Sequence, residues 1–155
     1  MILKNKNIYV VFLNAVFLLA ITIFAVNCES LMFVNQAPEI SQDCYVLQDN
    51  KLVINIDAVE ALQKTGGSAI VVDSKLDKKI LIACTGNNTF RVVSSHCTHR
   101  EKAIRYNHAS GIFECSSLGR AKYDLNGKAK SGLAEGDLLV YNFTINQNKM
   151  TVSLF

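Results

Sequence analysis

Short runs of β-forming residues separated by turn signals dominate the chain, and this pattern most limits how it can fold. The runs cover residues 45–47, 52–56, 69–72, 80–83, 90–93, 112–114, 139–145 and 150–154. In the last two runs alternate residues are apolar, which is typical of strands with one buried face: Leu139, Tyr141, Phe143 and Ile145 in one run, and Met150, Val152 and Leu154 in the other. The polar residues 146–148 between them predict a hairpin turn. The sequence therefore predicts an all-β fold, a small antiparallel β domain.

One short helix is expected among the strands. Asp57 is a good helix N-cap, and Glu60 follows three residues later, as in a capping box. Gly66 and Gly67 supply a stop signal. These signals predict a helix over residues 58–65.

The size and composition of the chain exclude several classes of protein. With 155 residues, half of them hydrophobic and 19% charged, the chain has room for one domain with a modest core and is not disordered. Its formal charge is +3, and without Lys4 and Lys6 it has 14 basic against 13 acidic residues, or +1. This balance gives no basic face for nucleic acid, so we expect no nucleic-acid partner.

The N-terminal segment has the pattern of an export signal. Lys4 and Lys6 precede an apolar stretch over residues 8–26, and Cys28 follows it. The stretch resembles a bacterial lipoprotein signal, which implies a signal peptide at 1–27, lipidation of Cys28, a lipidated linker at 28–44 and a domain at 45–155. The alternative is an uncleaved anchor, because about 19 apolar residues are enough to span a bilayer. Both interpretations predict a protein of the cell envelope, tethered to a membrane on its periplasmic or extracellular side.

Two short motifs carry the candidate chemistry. Cys97 and His99 form a Cys-x-His motif, and fifteen residues separate it from Cys115. The second motif runs Cys115-Ser-Ser-Leu-Gly119, with a Tyr-Asp-x-x-Gly segment after it at 123–127. This arrangement resembles the Rieske iron–sulfur family. The resemblance implies two converging ligand loops on the β domain, a [2Fe–2S] cluster, and electron transfer to a redox protein of the envelope.

The ligand set is one residue short of the family pattern. A Rieske centre uses two cysteine thiolates on one iron and two imidazoles on the other. The resemblance makes Cys97 and Cys115 the thiolates and His99 one imidazole, but Leu118 occupies the place of the second, and leucine has no lone pair to donate. Weak substitutes for the fourth ligand are His108, Ser116 and Ser117. His108 lies in a sequence typical of an exposed turn.

Two further alternatives for these residues stay open, as does the pairing of the remaining cysteines. With one borrowed group, Cys97, His99 and Cys115 would also make a tetrahedral zinc set. Without any metal, the two cysteines would be close enough for a disulfide in an oxidising compartment. Cys44 and Cys84 either pair with each other or stay as free thiols.

The sequence therefore leaves two hypotheses of function. No Ser/His/Asp arrangement, phosphate-binding loop or paired carboxylate motif is present, so we predict no enzyme and at most an electron carrier. The first hypothesis is such a carrier, with an incomplete [2Fe–2S] ligand set. The alternative is a cluster-free lipoprotein that keeps the β scaffold for a structural or binding role.

Overall fold

The computed structural model describes residues 36–154, and those residues form an antiparallel β domain. The predicted signal peptide and Cys28 lie outside the described residues. The strands are β1 (Tyr45–Gln48), β2 (Lys51–Asn55), β3 (Ser68–Val71), β4 (Ile80–Gly86), β5 (Thr89–Ser94), β6 (Ile104–Asn107), β7 (Ile112–Cys115), β8 (Lys122–Tyr123), β9 (Ala129–Ser131), β10 (Phe143–Asn146) and β11 (Lys149–Ser153). The predicted all-β fold is confirmed.

The first sheet joins the two ends of the domain in the order β1-β2-β11-β10. Its hairpin between β1 and β2 turns at Asp49 and Asn50, which both have positive φ, as a tight turn between twisted strands requires. The predicted hairpin between β10 and β11 is present, with Asn146 opposite Lys149. Its inner face places Met150 and Val152, both fully buried, in the core.

The second sheet, β3-β4-β5, separates two hydrophobic clusters. On β4, Ile80 and Ile82 belong to one cluster, while Leu81 and Ala83 belong to the other. The uninterrupted apolar run at 80–83 follows from this position, because a strand buried on both faces needs no polar side.

The third sheet, β6-β7-β8-β9, carries the second motif and packs on the cluster that contains Cys97 and Cys115. Two connections meet beside it, the first ligand loop (residues 97–102) and the second ligand loop (residues 115–121, beginning at the last residue of β7). Sequence patterning missed β6, β8 and β9, since β8 and β9 are only two and three residues long and β6 is only partly apolar.

The predicted single helix at 58–65 is wrong. Two separate 3₁₀ turns, Ile56–Ala58 and Glu60–Leu62, occupy the region, and a third lies at Gln42–Cys44. Val59 between the first two is extended, with φ −110° and ψ 93°, and its buried side chain belongs to the core. Asp57 does not act as a side-chain cap but accepts a hydrogen bond from the Asn148 amide. Packing of Val59 therefore overrides the local helix signals.

The predicted strand at 139–145 is only partly present. Strand β10 covers its end, and Val140 forms an isolated bridge with Val93. Tyr141 is buried, whereas Leu139 and Ile145 are exposed, so the four alternating residues do not share a buried face.

Residues 36–44, which the sequence places in the linker, contact the domain. The backbone of Ile40 donates a hydrogen bond to Ile70, and its side chain is buried in the core. Within the described range 36–154, no helix has the length and apolar character needed to cross a membrane.

Candidate metal centre

The two ligand loops bring three candidate ligands together. The nearest donor atoms of Cys97, His99 and Cys115 all lie within 4.8 Å of one another. Cys97 and Cys115 are almost completely buried, while His99 is half-buried. Nδ1 of His99 lies 2.8 Å from Sγ of Cys97. The expected convergence of the two loops is therefore confirmed.

Backbone hydrogen bonds fix both loops. In the first loop, the Cys97 N–H donates to Lys102 O, and the Glu101 N–H donates to Cys97 O. In the second, the Cys115 N–H donates to Ala121 O. The Ser116 N–H donates to the carbonyl of residue 103, just after the first loop. Backbone hydrogen bonds within each loop, and between the second loop and residue 103, thus hold the two cysteines in place.

Tyr123, on β8, contacts the first loop through its hydroxyl. Its fully buried side chain places the hydroxyl 3.3 Å from Sγ of Cys97 and 2.9 Å from Oγ1 of Thr98. In the sequence, Tyr123 is evident only as part of the Tyr-Asp-x-x-Gly segment, and its contact with Cys97 was not predicted. Its place as an aromatic residue just after the second motif is the sequence signal that could have predicted this contact.

A cover segment, residues 131–136, closes the site from the side. Oγ1 of Thr98 donates to Gly136 O and accepts from the Glu135 N–H. Gly132 has φ +80°, and a Cβ there would lie 2.5 Å from Arg120 O, so only glycine allows this segment to approach the second loop so closely.

The local environment disfavours a free thiolate in the metal-free site. Burial raises the pKa of the Cys97 thiol, although hydrogen bonds from the His99 backbone and the Tyr123 hydroxyl favour the thiolate. Burial also raises the pKa of Tyr123, so its hydroxyl keeps its proton and remains a donor. A metal ion that binds here must displace the thiol proton, because the thiolate is the ligand.

Leu118 offers nothing to this site. Its side chain is fully exposed, with a relative accessibility of 102%. Its neighbour Gly119 lies against the imidazole instead, since a Cβ there would be 3.2 Å from Nε2 of His99. Position 118, where the sequence resemblance implies the second imidazole, therefore lies at the protein surface.

The weak substitutes have different positions. His108 is exposed in the turn after β6, where Nδ1 lies 3.0 Å from the Tyr106 hydroxyl, and it does not belong to the group of converging ligands. Ser116 is exposed. Ser117 is half-buried, and its Oγ lies 3.1 Å from Sγ of Cys115 and 3.2 Å from Nε2 of His99.

The described cysteines are all free thiols. Sγ of Cys44 faces the carbonyl of Ala58, and Sγ of Cys84 faces the carbonyl of Gly86. Cys84 is buried, as expected for a small apolar residue at the end of a strand.

Comparison with known proteins identifies the fold of the domain that carries this site. No family model and no curated protein matches the sequence. Among solved structures, the ferredoxin of carbazole 1,9a-dioxygenase from Nocardioides aromaticivorans IC177 matches 65% of this chain and 93% of its own, with 17% identity and a TM-score of 0.52. The plasma membrane Rieske protein PetC3 from Synechocystis PCC 6803 matches 54% of this chain and 82% of its own, with 25% identity and a TM-score of 0.46. A chain of a hyperthermophilic respiratory Complex III matches 88% and 96%, with 15% identity and a TM-score of 0.45.

The described domain has a Rieske-like β fold. The resemblance inferred from the two motifs is thus confirmed at the level of the fold. In this fold the Cys97–His99–Cys115 group is positioned to bind metal. It supplies two sulfur donors and one imidazole, which are three of the four protein ligands of a Rieske cluster. The fourth does not come from Leu118, whose side chain lies in solvent.

Proposed function

We propose that the protein is a membrane-tethered electron carrier of the cell envelope, with an iron–sulfur centre held by Cys97, Cys115 and His99. The observation that carries this proposal is the convergence of the three donor atoms within 4.8 Å on two bonded loops. A bound [2Fe–2S] cluster would supply one-electron chemistry. We assign no catalytic role to the chain.

The residues around the site suit a redox centre. Cys97 and Cys115 are buried, so the sulfur donors are shielded from water, whereas His99 is half-buried and can approach a partner protein. The Tyr123 hydroxyl beside Sγ of Cys97 can donate to a thiolate and so stabilise its negative charge. Because Leu118 has no donor atom and its side chain is exposed, the proposed centre has three protein ligands.

A second candidate occupant is a single Zn²⁺ ion. One ion with metal–sulfur bonds of about 2.3 Å and a metal–nitrogen bond of about 2.1 Å needs its ligands roughly 3.5–4 Å apart. The three donor atoms lie within 4.8 Å of one another, but Nδ1 of His99 is only 2.8 Å from Sγ of Cys97, so these two atoms would have to move apart to bind one ion. In the fourth position a water molecule would complete a tetrahedron.

The tether is the part of the proposal that rests on the N-terminal sequence alone. The lipoprotein-like motif ending at Cys28 and the apolar stretch before it both support export and membrane attachment. An envelope redox protein would then be the partner, reached through the His99 side of the domain.

Anaerobic purification of the full chain tests the proposal. We expect iron and acid-labile sulfide in the wild type and in Cys44→Ser, a matched control because Cys44 is a free thiol outside the site. Cys97→Ser and His99→Ala should lose most of both. Zinc without sulfide would support the single-ion candidate instead. Protein that carries no metal under these conditions would contradict the proposal and favour a cluster-free binding module.

A further inference from the structure

The hydroxyl of Ser117 bridges the two ligand loops. It lies on the second loop, 3.1 Å from Sγ of Cys115, and reaches 3.2 Å to Nε2 of His99 on the first loop. The other ring nitrogen, Nδ1, lies 2.8 Å from Sγ of Cys97. Each edge of the imidazole thus faces a different side chain of the site.

When the cysteines act as ligands, the hydrogen bonds from Cys115 through Ser117 to His99 have only one consistent assignment of donors and acceptors. A thiolate accepts hydrogen bonds but donates none, so the Ser117 O–H must donate to Cys115. The Ser117 oxygen is then the acceptor for His99, which places the ring proton on Nε2. A neutral imidazole carries one proton, so Nδ1 keeps its lone pair, directed toward Cys97 and the metal position.

We propose that Ser117 is a positioning residue that selects the Nε2–H tautomer of His99 and aims Nδ1 at the metal. The inference rests on the proposed function, namely that the Cys97–His99–Cys115 site binds metal. Partners of this kind, bonded to the distal nitrogen of a histidine ligand, fix its tautomer and ring orientation. Ser117 therefore acts through His99 and Cys115, and the metal ligands remain three.

Neighbouring residues offer no replacement for this hydroxyl. Gly119, which lies against the same edge of the ring, has no side chain to donate or accept. Ser116 is exposed, and its backbone N–H donates to Ala103 O. Loss of the Ser117 hydroxyl should leave Nε2 free to exchange its proton with water, so that the two tautomers compete.

A cobalt titration of the full chain tests this role. Anaerobic Co²⁺ binding, followed by its visible absorption, is compared in the wild type, Ser117→Ala, Ser117→Thr and Ser116→Ala. We expect Ser117→Ala to weaken Co²⁺ binding by about 10- to 100-fold, which is the usual effect of removing such a partner. Ser116→Ala should match the wild type, and Ser117→Thr, which keeps a hydroxyl, should recover most of the affinity.

Nitrogen NMR of the Zn²⁺-loaded, histidine-labelled protein gives a readout that a purely structural role would not move. Wild-type His99 should show a metal-bound Nδ1 and a protonated Nε2, while Ser117→Ala should show a mixture of the two ring nitrogens as ligands. Equal affinity and an unchanged His99 signal in Ser117→Ala would overturn the role of Ser117 alone. Absence of metal binding in the wild type would contradict the proposed function and this role with it.

Discussion

The hydroxyl oxygen of Tyr123 lies 3.3 Å from Sγ of Cys97, which ties the third sheet to the first ligand loop at one of its candidate ligands. The same oxygen also accepts from the backbone N–H of Thr98. Because Tyr123 is fully buried, these bonds form away from competing water. The position of Cys97 therefore depends on a strand that follows both motifs in the sequence.

Tyr123→Phe should destabilise the domain by about 1–3 kcal/mol, because buried groups of the first loop lose their partner. If the centre is loaded, its reduction potential should also fall, since a hydrogen bond to a ligand sulfur is removed. Urea unfolding and a redox titration measure the two effects. Tyr106→Phe, whose hydroxyl contacts His108 outside the site, is the control. Equal unfolding midpoints for the two variants would show that the Tyr123 hydroxyl does not support the loop.

Leu118→His should raise iron and sulfide incorporation, because it supplies an imidazole at the position where the Rieske resemblance implies one. The cost in stability should be small, since the Leu118 side chain is fully exposed. Leu139→His, at an exposed leucine outside both ligand loops, is the matched control. Relative to the Rieske pattern that the two motifs resemble, one extra residue lies between Leu118 and Tyr123, so the second loop is expected to differ in shape from that pattern.

Deletion of Ala121 or Lys122 together with Leu118→His gives a second version of this test. Iron and sulfide analysis after anaerobic reconstitution measures the outcome for the single substitution and for the deletion variants. Incorporation no higher than in the Leu139→His control would mean that the second loop does not present position 118 to the metal.

Much of the fold could be predicted from the sequence, because β2, β4 and β11 bury apolar residues in patterns that show in the chain itself. Strand β9, at the edge of the third sheet, could not be predicted, since all its residues are exposed and it is held by pairing with β8. The helix signals near Asp57 were misleading because Val59 packs in the core with extended backbone. Local sequence preferences predicted the strands that have a full apolar face. They gave the wrong structure where tertiary packing opposed them.

The candidate ligands were predictable, but their surroundings were not. The two motifs and their resemblance to the Rieske pattern made Cys97, His99 and Cys115 candidates. The contact of Ser117 with His99 depends on how two separate loops meet, which no local pattern encodes. The exposure of Leu118 is likewise a property of the folded loop.

Asp137 should stabilise the domain in a pH-dependent way. The hydrogen-bonded ion pair with Lys128, with Nζ 2.7 Å from Oδ2, and the bond from the Ala129 N–H lower the pKa of the Asp137 carboxyl. A lowered pKa in the folded state gives stabilisation that is present above the unfolded value of about 3.9 and is lost as the pH falls below it. Asp137→Asn should therefore lower the urea midpoint at neutral pH, by a small amount because the pair is exposed.

At strongly acidic pH, the Asp137→Asn and wild-type midpoints should converge. Glu135→Gln, which removes a nearby carboxylate outside the described ion pairs, should show no such pH dependence. A difference between Asp137→Asn and wild type that persists at acidic pH would assign the effect to packing rather than charge.

Cys28→Ala should release the protein from membranes or leave it unprocessed, because the proposed lipid anchor is attached to this residue. Fractionation and mass determination of the N-terminus measure the result, and Cys44→Ala is the control. Unchanged membrane attachment with residues 1–27 still present would favour the uncleaved anchor.

Iron K-edge X-ray absorption on the anaerobically loaded full chain tests the central claim most directly, because it reports which atoms bind the metal. The proposed centre predicts sulfur and nitrogen neighbours in the wild type, loss of the nitrogen contribution in His99→Ala, and loss of sulfur in Cys97→Ser. Iron with only oxygen or nitrogen neighbours, unaffected by either substitution, would contradict the assignment of Cys97, His99 and Cys115 as a metal centre.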